Sequence, residues 1–372
     1  MNNPRKLRVG VIFGGRSGEY EVSLMSARSV IGVLDPQRYD VTQIGITQEG
    51  AWLTGDNVLG SMEQMKLDQL KPAVLFADPT MEGLNLLQKA DSGYNLVLLT
   101  ELDVVFPVLH GTYGEDGTLQ GLLEMANIAY VGAGVLGSSV GMDKGVFQVV
   151  MQANQIPMVE TMVVLRKDFT DHVDEIIEQA ETMAQYPLFT KPANLGSSVG
   201  VSKCHNRSDL LEGLMEAARY DRRILIQRGV NGREIEVSVL GNDYPEASIP
   251  GEIVPSREFY SYEAKYVDDA SDLLIPAPIP EETAQLARKL AVEAFKAIDC
   301  QGMARVDFLL DRDNGDLYLN ELNTIPGFTK ISMYPKLWEA CDLPYGQLVD
   351  RLIELALERK VDKTKNEYRY TG

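Results

Sequence analysis

Residues 304–328, ARVDFLLDRDNGDLYLNELNTIPGF, carry Asp307, Glu321 and Asn323 at a spacing that could hold a hard cation. The stretch reads as two strands joined by a turn. Val306, Phe308 and Leu310 alternate with Asp307 and Leu309, Asp313-Asn314-Gly315 supplies turn chemistry, and residues 317–323 resume the extended pattern. A hairpin would bring Asp307 near Glu321 and Asn323, and residues two apart on a strand share a face. Two carboxylates and an amide oxygen form an oxygen-only donor set, of the kind Mg2+ takes together with a substrate's phosphates and retained waters. Arg305, two residues before Asp307, places a fixed cation on the same face. The plainer reading is a surface hairpin with solvated acids. The apolar strands around them favour the metal–phosphate site, because unpaired buried carboxylates are costly.

Four other segments could do chemistry. FTKPANLGSSVGVSK, residues 189–203, resembles a phosphate loop without the Walker spacing. Lys191 stands at its edge, and Gly196, Ser197, Ser198 and Gly200 offer backbone N–H groups and hydroxyls. A lysine there contributes about 1.5–3 kcal/mol per charge-assisted bond, and an ordinary glycine-serine turn is the alternative. Upstream, GSSVGMDKGVF puts Lys144 at a helix start, either as a phosphate contact or as a solvated surface lysine. FGGRSGEYEVS, residues 13–23, lacks full Gly-x-Gly-x-x-Gly spacing, so a dinucleotide reading is poor. Its Glu19 and Glu21 fall in the first turn of a helix, with Ser17 as a candidate cap; they either complement the helix dipole or bind a substrate ammonium. HGTYGEDGTLQG, residues 110–121, sets His110 at a strand end, as a structural histidine or a substrate contact.

The elements that must position these groups alternate along the chain. Residues 7–13, 41–46 and 104–109 read as strands, 22–34 and 118–125 as helices, an order that implies a parallel sheet flanked by helices. Ligands bind beyond the carboxyl ends of such strands, where Gly14-Gly15 and His110-Gly111 fall. From Lys144 onward the pattern gives a helix at 172–186, a strand at 188–191, a helix at 208–219 with Leu210, Leu211 and Leu214 on one face, and a strand at 224–227. A third portion holds a strand at 234–240, the hairpin and a helix at 348–358. Residues 254–271, with Tyr260, Tyr262, Lys265 and Tyr266, read as a polar lid or a tyrosine-decorated surface loop. Residues 360–372 are polar and expected to fray.

Composition narrows the class. A length of 372 residues exceeds what one core serves, and 45% apolar with 24% charged residues is ordinary for a soluble enzyme. The formal charge of -19 opposes a nucleic-acid or anionic-membrane partner. Cys204, Cys300 and Cys341 form no disulfide framework, and neither a signal peptide nor a membrane-spanning run is present, so a cytoplasmic protein is expected.

In their order, FGGRSGEYEVS, VLHGTYGEDGTLQG, MDK, TKPANLGSSVGVSK, NGREIEV, FYSYEAKY, ARVDF and NELNTIPGFTKISMYPK closely resemble the D-alanine–D-alanine ligase family of the ATP-grasp superfamily. The resemblance implies an α/β (mixed α+β) ATP-grasp fold with three domains: an N-terminal α/β substrate domain with a parallel sheet (1–143), a central ATP-grasp domain (144–235), a C-terminal catalytic domain (236–364) and a polar tail (365–372). It implies ATP between the last two domains and ligation of two D-alanines through a D-alanyl phosphate, for peptidoglycan precursors. Asp307, Glu321 and Asn323 would hold two Mg2+ ions, with Mn2+ able to substitute. Lys144, Lys191, Gly196 and Ser198 would hold phosphates, with Lys265 at the γ-phosphate. Gln227, Arg228 and Val230 would line the adenine and Glu234 the ribose. Glu19 would bind the first D-alanine's ammonium, with His110 nearby and with Ser197 and Tyr266 completing a triad that closes the lid. Arg305 and the Gly327 N–H would form the oxyanion site, and Ser332 and the Met333 backbone would take the second carboxylate. A homodimer is also implied.

One position departs from the family pattern: Gln227 stands where many members carry glutamate, which bears on nucleotide affinity and base selectivity. Two alternatives stay open: an ATP-grasp ligase with D-lactate or D-serine as acceptor, and a catalytically silent nucleotide-binding protein.

Overall fold

The run LRVGVIFG forms β1 (Leu7–Gly14), buried over its last six residues. Such a continuous apolar strand needs cover on both faces, as in a parallel sheet flanked by helices. The computed structural model describes residues 5–81, 83–254 and 272–368. In it β1 pairs in parallel with β2 (Tyr39–Ile46) and, on its other side, with the strand Val104–Val108. Between these in the chain come β3 (Trp52–Thr54), β4 (Lys71–Leu75), β5 (Leu84–Ala90) and β6 (Gly93–Thr100), so that strand is β7, followed by β8 (Ala129–Tyr130). The sheet order is β6-β5-β4-β3-β2-β1-β7-β8. Its parallel part holds the three expected strands as β2-β1-β7 and adds β8, whereas β3 to β6 extend it antiparallel. That extension escapes sequence reading because β3 has three residues and β4 begins with Lys-Pro, so neither shows a clean alternation.

The helix expected at 22–34 runs Tyr20–Ile31 and closes at Gly32. Glu19 is its N-cap residue rather than a first-turn one, and Ser17 accepts the Glu19 N–H at 3.1 Å.

A second sheet holds β9 (Thr161–Leu165), β10 (Leu188–Pro192), β11 (Ser202–Cys204) and β12 (Arg223–Arg228) in the antiparallel order β11-β10-β12-β9. Helices Val173–Met183 and Arg207–Tyr220 pack against it through Ile176, Ile177, Leu210 and Leu214. Leu211, expected on the same face, is exposed.

The third sheet contains β13 (Gly232–Gly241), β14 (Glu246–Ala247), β15 (Gly251–Val254), β16 (Asp272–Leu274), β17 (Gly302–Asp311) and β18 (Leu317–Asn323), ordered β16-β15-β13-β17-β18 with β14 on β13. Helix Glu281–Ala297 seals one face with Ala287, Leu290, Ala291, Ala294 and Phe295 against Val237, Val306 and Phe308.

The last helix, Tyr345–Lys363, turns back to the first sheet. Leu348, Val349, Leu352 and Ile353 share a core with Val9, Val11, Phe13, Val104 and Phe106. Residues 360–363, expected to fray, stay helical because they are tied down: Lys363 pairs with Glu124, and Lys360 Nζ donates to the Asn127 carbonyl at 2.7 Å. Arg359 is buried and donates to the carbonyls of Gly132 (2.5 Å) and Tyr130 (2.6 Å). Leu352→Ala should therefore cost about 2–5 kcal/mol of stability, against under about 0.5 kcal/mol for exposed Glu358→Ala, read by denaturant unfolding; equal effects would separate the helix from this core.

Candidate active site

The hairpin forms as its sequence requires. β17 and β18 pair with Asp307 opposite Glu321 and Arg305 opposite Asn323, so all four side chains occupy one face. A register shift between Asp307 and Phe308 leaves Asn320 unpaired and turns the strand beside the acids, a placement typical of functional bulges. Arg305 grips Asp307 through two bonds, Nε to Oδ1 at 2.8 Å and Nη2 to Oδ2 at 2.7 Å. Asn323 Nδ2 donates to the same Asp307 Oδ2 at 2.9 Å. Lys144 Nζ lies 3.4 Å from Glu321 Oε2. Among the described residues no three His, Cys, Asp or Glu side chains cluster as a metal-binding group. The donor set here is two carboxylates and an amide, which suits a cation that completes its shell with phosphate oxygens and water.

Lys144 opens the helix Lys144–Ala153, and its Nζ donates to Leu195 O at 3.0 Å, fixing it beside the 193–200 loop. Lys191, near the end of β10, is buried and donates to Gln227 Oε1 at 2.9 Å, while Gln227 Nε2 donates to Thr161 Oγ1 at 3.0 Å. Burial, and then Lys144, pull the Lys191 ammonium down to about 8, with Glu321 opposing. The Arg228 side chain is engaged by its neighbours, with Nε 2.6 Å from Glu160 and its guanidinium over the Tyr318 ring. Val230 is half-buried in the turn after β12, and Glu234 is half-buried on β13.

Ser197 donates its hydroxyl to Glu19 Oε1, joining the loop of the second sheet to the helix of the first. Ser197 and Ser198 both adopt left-handed backbone, at φ 53° and 58°, an arrangement costly for non-glycine residues and concentrated at functional loops. Two glycines let the Glu19 carboxylate fit. A Cβ on Gly111 would lie 2.4 Å from Glu19 Oε2, and one on Gly196 would lie 2.9 Å from it.

His110 is buried between the first and third sheets. Its Nδ1 meets Ile325 O at 2.9 Å and its Nε2 meets Ser26 Oγ at 3.0 Å, while Phe328 N donates to that same hydroxyl at 3.3 Å. Burial lowers the His110 pKa, and Glu19 opposes the shift. The loop carrying Gly327 is thereby pinned, and Phe328 drives it into the core with Phe106, Tyr334 and Tyr345 around its ring. Ser332 caps the helix Met333–Glu339 by position only; its Oγ accepts the Thr329 N–H at 3.1 Å. Met333 is the first residue of that helix, where backbone N–H groups lack intrahelical acceptors.

Lys265 and Tyr266, with Tyr260 and Tyr262, lie outside the described residues. Two groups escaped the sequence reading. Glu115 accepts the N–H groups of Gly111 (2.6 Å) and Ile325 (3.1 Å), one from each side of the junction. Glu236 lies 3.1 Å from Arg305 Nε. Glu236 was legible in principle, since it shares a strand face with Glu234 at a spacing of two; Glu115 had no such signal, because its partners are backbone N–H groups and one of them lies 210 residues away.

Residues 8–133 match the family described as D-ala D-ala ligase N-terminus, and residues 150–354 that described as D-ala D-ala ligase C-terminus. A D-alanine–D-alanine ligase of Heliobacterium modesticaldum is 48% identical over 361 residues, covering 97% of each chain. One of Thermoanaerobacter sp. is 50% identical over 362 residues, covering 97% of this chain and 99% of the other. Among solved structures, the D-alanine–D-alanine ligase of Coxiella burnetii superposes with a TM-score of 0.82 at 36% identity, over 97% and 96% of the two chains. A D-Ala:D-Ser ligase of Enterococcus faecalis superposes with a TM-score of 0.83 at 33% identity, over 95% and 100%.

Enclosure in protein, and then the neighbouring Glu19, raise the Glu115 carboxyl from 4.5 to about 8; the two N–H donors and Lys144 only partly oppose this. The folded state thus keeps a proton that the unfolded chain releases, and stability falls as pH rises from 4.5 to about 8. Glu115→Gln should flatten that part of the thermal-stability profile, and an unchanged slope between about pH 5 and pH 8 would place the titration elsewhere.

Proposed function

The chain belongs to the D-alanine–D-alanine ligase family, and from that premise we propose that it joins two D-alanines to D-alanyl-D-alanine with ATP, through a D-alanyl phosphate. Peptide-bond formation from a free carboxylate is uphill in water and the carboxylate is a poor electrophile, so the carboxylate is first phosphorylated and the second amine then displaces phosphate. The observation that best supports a site for this sequence is the Ser197–Glu19 bond, which sets the glycine-serine loop against a carboxylate at the strand ends of the first sheet.

In this reading Glu19 takes the first D-alanine's ammonium, with His110 and Glu115 fixing the floor beneath. Lys144, Lys191 and the backbone of Gly196 and Ser198 receive the phosphates, with Lys265 at the γ-phosphate. Spreading the charge of the transferring phosphoryl group over these cations lowers its barrier. Gln227 and the backbone of Arg228 and Val230 line the adenine, and Glu234 takes the ribose. Arg305 and the Gly327 N–H stabilise the tetrahedral oxyanion, an effect that typically contributes about 100- to 1000-fold per donor. Ser332 and the Met333 N–H orient the second carboxylate, and Tyr266 closes the lid with Ser197, keeping water from the acyl phosphate. Asp307, Glu321 and Asn323 would hold Mg2+, two ions with Mn2+ able to replace them, which supplies charge neutralisation on the phosphates.

The proposal extends to the three-domain division, to a cytoplasmic role in peptidoglycan precursor synthesis, and to a homodimer. Support for the dimer comes from β6, an uncharged edge strand with Tyr94, Leu96, Val97, Leu98 and Leu99 exposed. Among the described residues no helix is long and apolar enough to cross a membrane. An acceptor other than the second D-alanine is the competing reading, given the likeness to a D-Ala:D-Ser ligase.

Phosphate release from Mg-ATP with D-alanine, D-serine or D-lactate, with products weighed by mass spectrometry, separates these. Phosphate matched by D-alanyl-D-alanine is expected; a mixed dipeptide or an ester as the main product would move the assignment to another acceptor. Asp307→Asn should lower kcat by more than about 100-fold while the fold persists, and near-normal turnover would remove Asp307 from the site.

A further inference from the structure

Lys144 is flanked by an ion pair between Asp143 and Arg223. Asp143 accepts the N–H groups of Gly145 (3.0 Å) and Val146 (2.9 Å) through Oδ1, capping the helix that Lys144 opens. Its Oδ2 takes Arg223 Nη1 at 2.5 Å, and both side chains are largely buried. Arg223 begins β12, and its carbonyl accepts the Ala193 N–H at 3.0 Å. The Ala193 carbonyl in turn accepts the Lys144 N–H at 3.0 Å. These bonds close a ring: Lys144 backbone, Ala193, Arg223, Asp143 and back to Lys144. Asp221 reinforces it, accepting the N–H groups of Arg223 (3.1 Å) and Asn194 (2.8 Å) through its two oxygens.

Gly145 shows how tightly the ring is drawn. A Cβ there would lie 2.7 Å from Arg223 Nη2 and 3.3 Å from Val163 Cγ2, so the guanidinium occupies the volume a side chain would take. The physical need is clear from the lysine itself. A four-carbon stem loses up to about 2 kcal/mol of rotamer entropy when ordered, and a backbone free to rock would spread the ammonium over several positions.

We propose that the Asp143–Arg223 ion pair is a positioning device for Lys144, aiming its ammonium at the nucleotide phosphates while touching no substrate itself. This rests on the reading that Lys144 meets those phosphates. A purely structural clamp would also weaken the protein on removal, but its effect on nucleotide binding would not depend on whether the lysine is there.

The test is calorimetric binding of the β,γ-imido analogue of ATP with Mg2+ to the full chain, in a double-mutant cycle. Lys144→Ala should weaken binding by about 10- to 100-fold, the range of a lost charge-assisted bond. Arg223→Gln should weaken it by about 3- to 10-fold, Arg223→Lys by less, because a cation is retained. Asp143→Asn should match Arg223→Gln, since asparagine still caps the helix but carries no charge. In the Lys144→Ala background, Arg223→Gln and Asp143→Asn should have no further effect. An equal loss in both backgrounds would overturn the positioning role and leave a clamp. No loss from Lys144→Ala would instead overturn the phosphate reading beneath it. Asp143→Asn, with its cap intact, carries the cycle if Arg223→Gln does not fold.

Discussion

A buried polar group must be paired, and at the junction of the first and third sheets that requirement holds the molecule in one arrangement. Ser26 comes from the helix after β1 and His110 and Glu115 from the loop after β7, whereas Ile325 and Phe328 come from the loop after β18. Sliding one side against the other would leave a histidine, a carboxyl and several backbone groups unsatisfied at once, at about 1–3 kcal/mol each. The Gly327 loop therefore inherits its place from a network that Gly327 does not join. Phe328 and Tyr345 add the apolar half of the same lock, with the Tyr345 hydroxyl donating to Phe328 O at 2.6 Å.

Ion pairs divide the remaining work. Arg305 shares its charge between Asp307 and Glu236, so the cation and the acids beside it neutralise one another before any ligand arrives. Lys144 stands likewise against Glu321. Lys191 differs: it donates to the neutral amide of Gln227, and burial pulls its proton affinity down. Gln227 thus bears on the charge state of the neighbouring lysine, because an amide offers a dipole where a carboxylate would offer a full charge.

Small residues do their part by absence. Gly111 and Gly196 approach the Glu19 carboxylate from two different sheets, and either Cβ would displace it. The carboxylate is thus boxed in by backbone, which fixes its direction.

The sequence alone determined the hairpin, its turn and the shared face of Arg305, Asp307, Glu321 and Asn323, because strand periodicity is local and the partners lie within one supersecondary unit. It also marked the core of the parallel sheet, the 193–200 loop and, through ordered motifs, the family. Tertiary structure alone decided what depends on contacts between distant segments: the antiparallel extension by β3 to β6, the return of the last helix to the first sheet, the turning of Arg228 toward Glu160, and the seat of Glu115 between Gly111 and Ile325. Glu115 shows the reason most plainly. Its carboxyl accepts one N–H from Gly111, four residues away, and one from Ile325, 210 residues away, and the second leaves no trace in the letters around it.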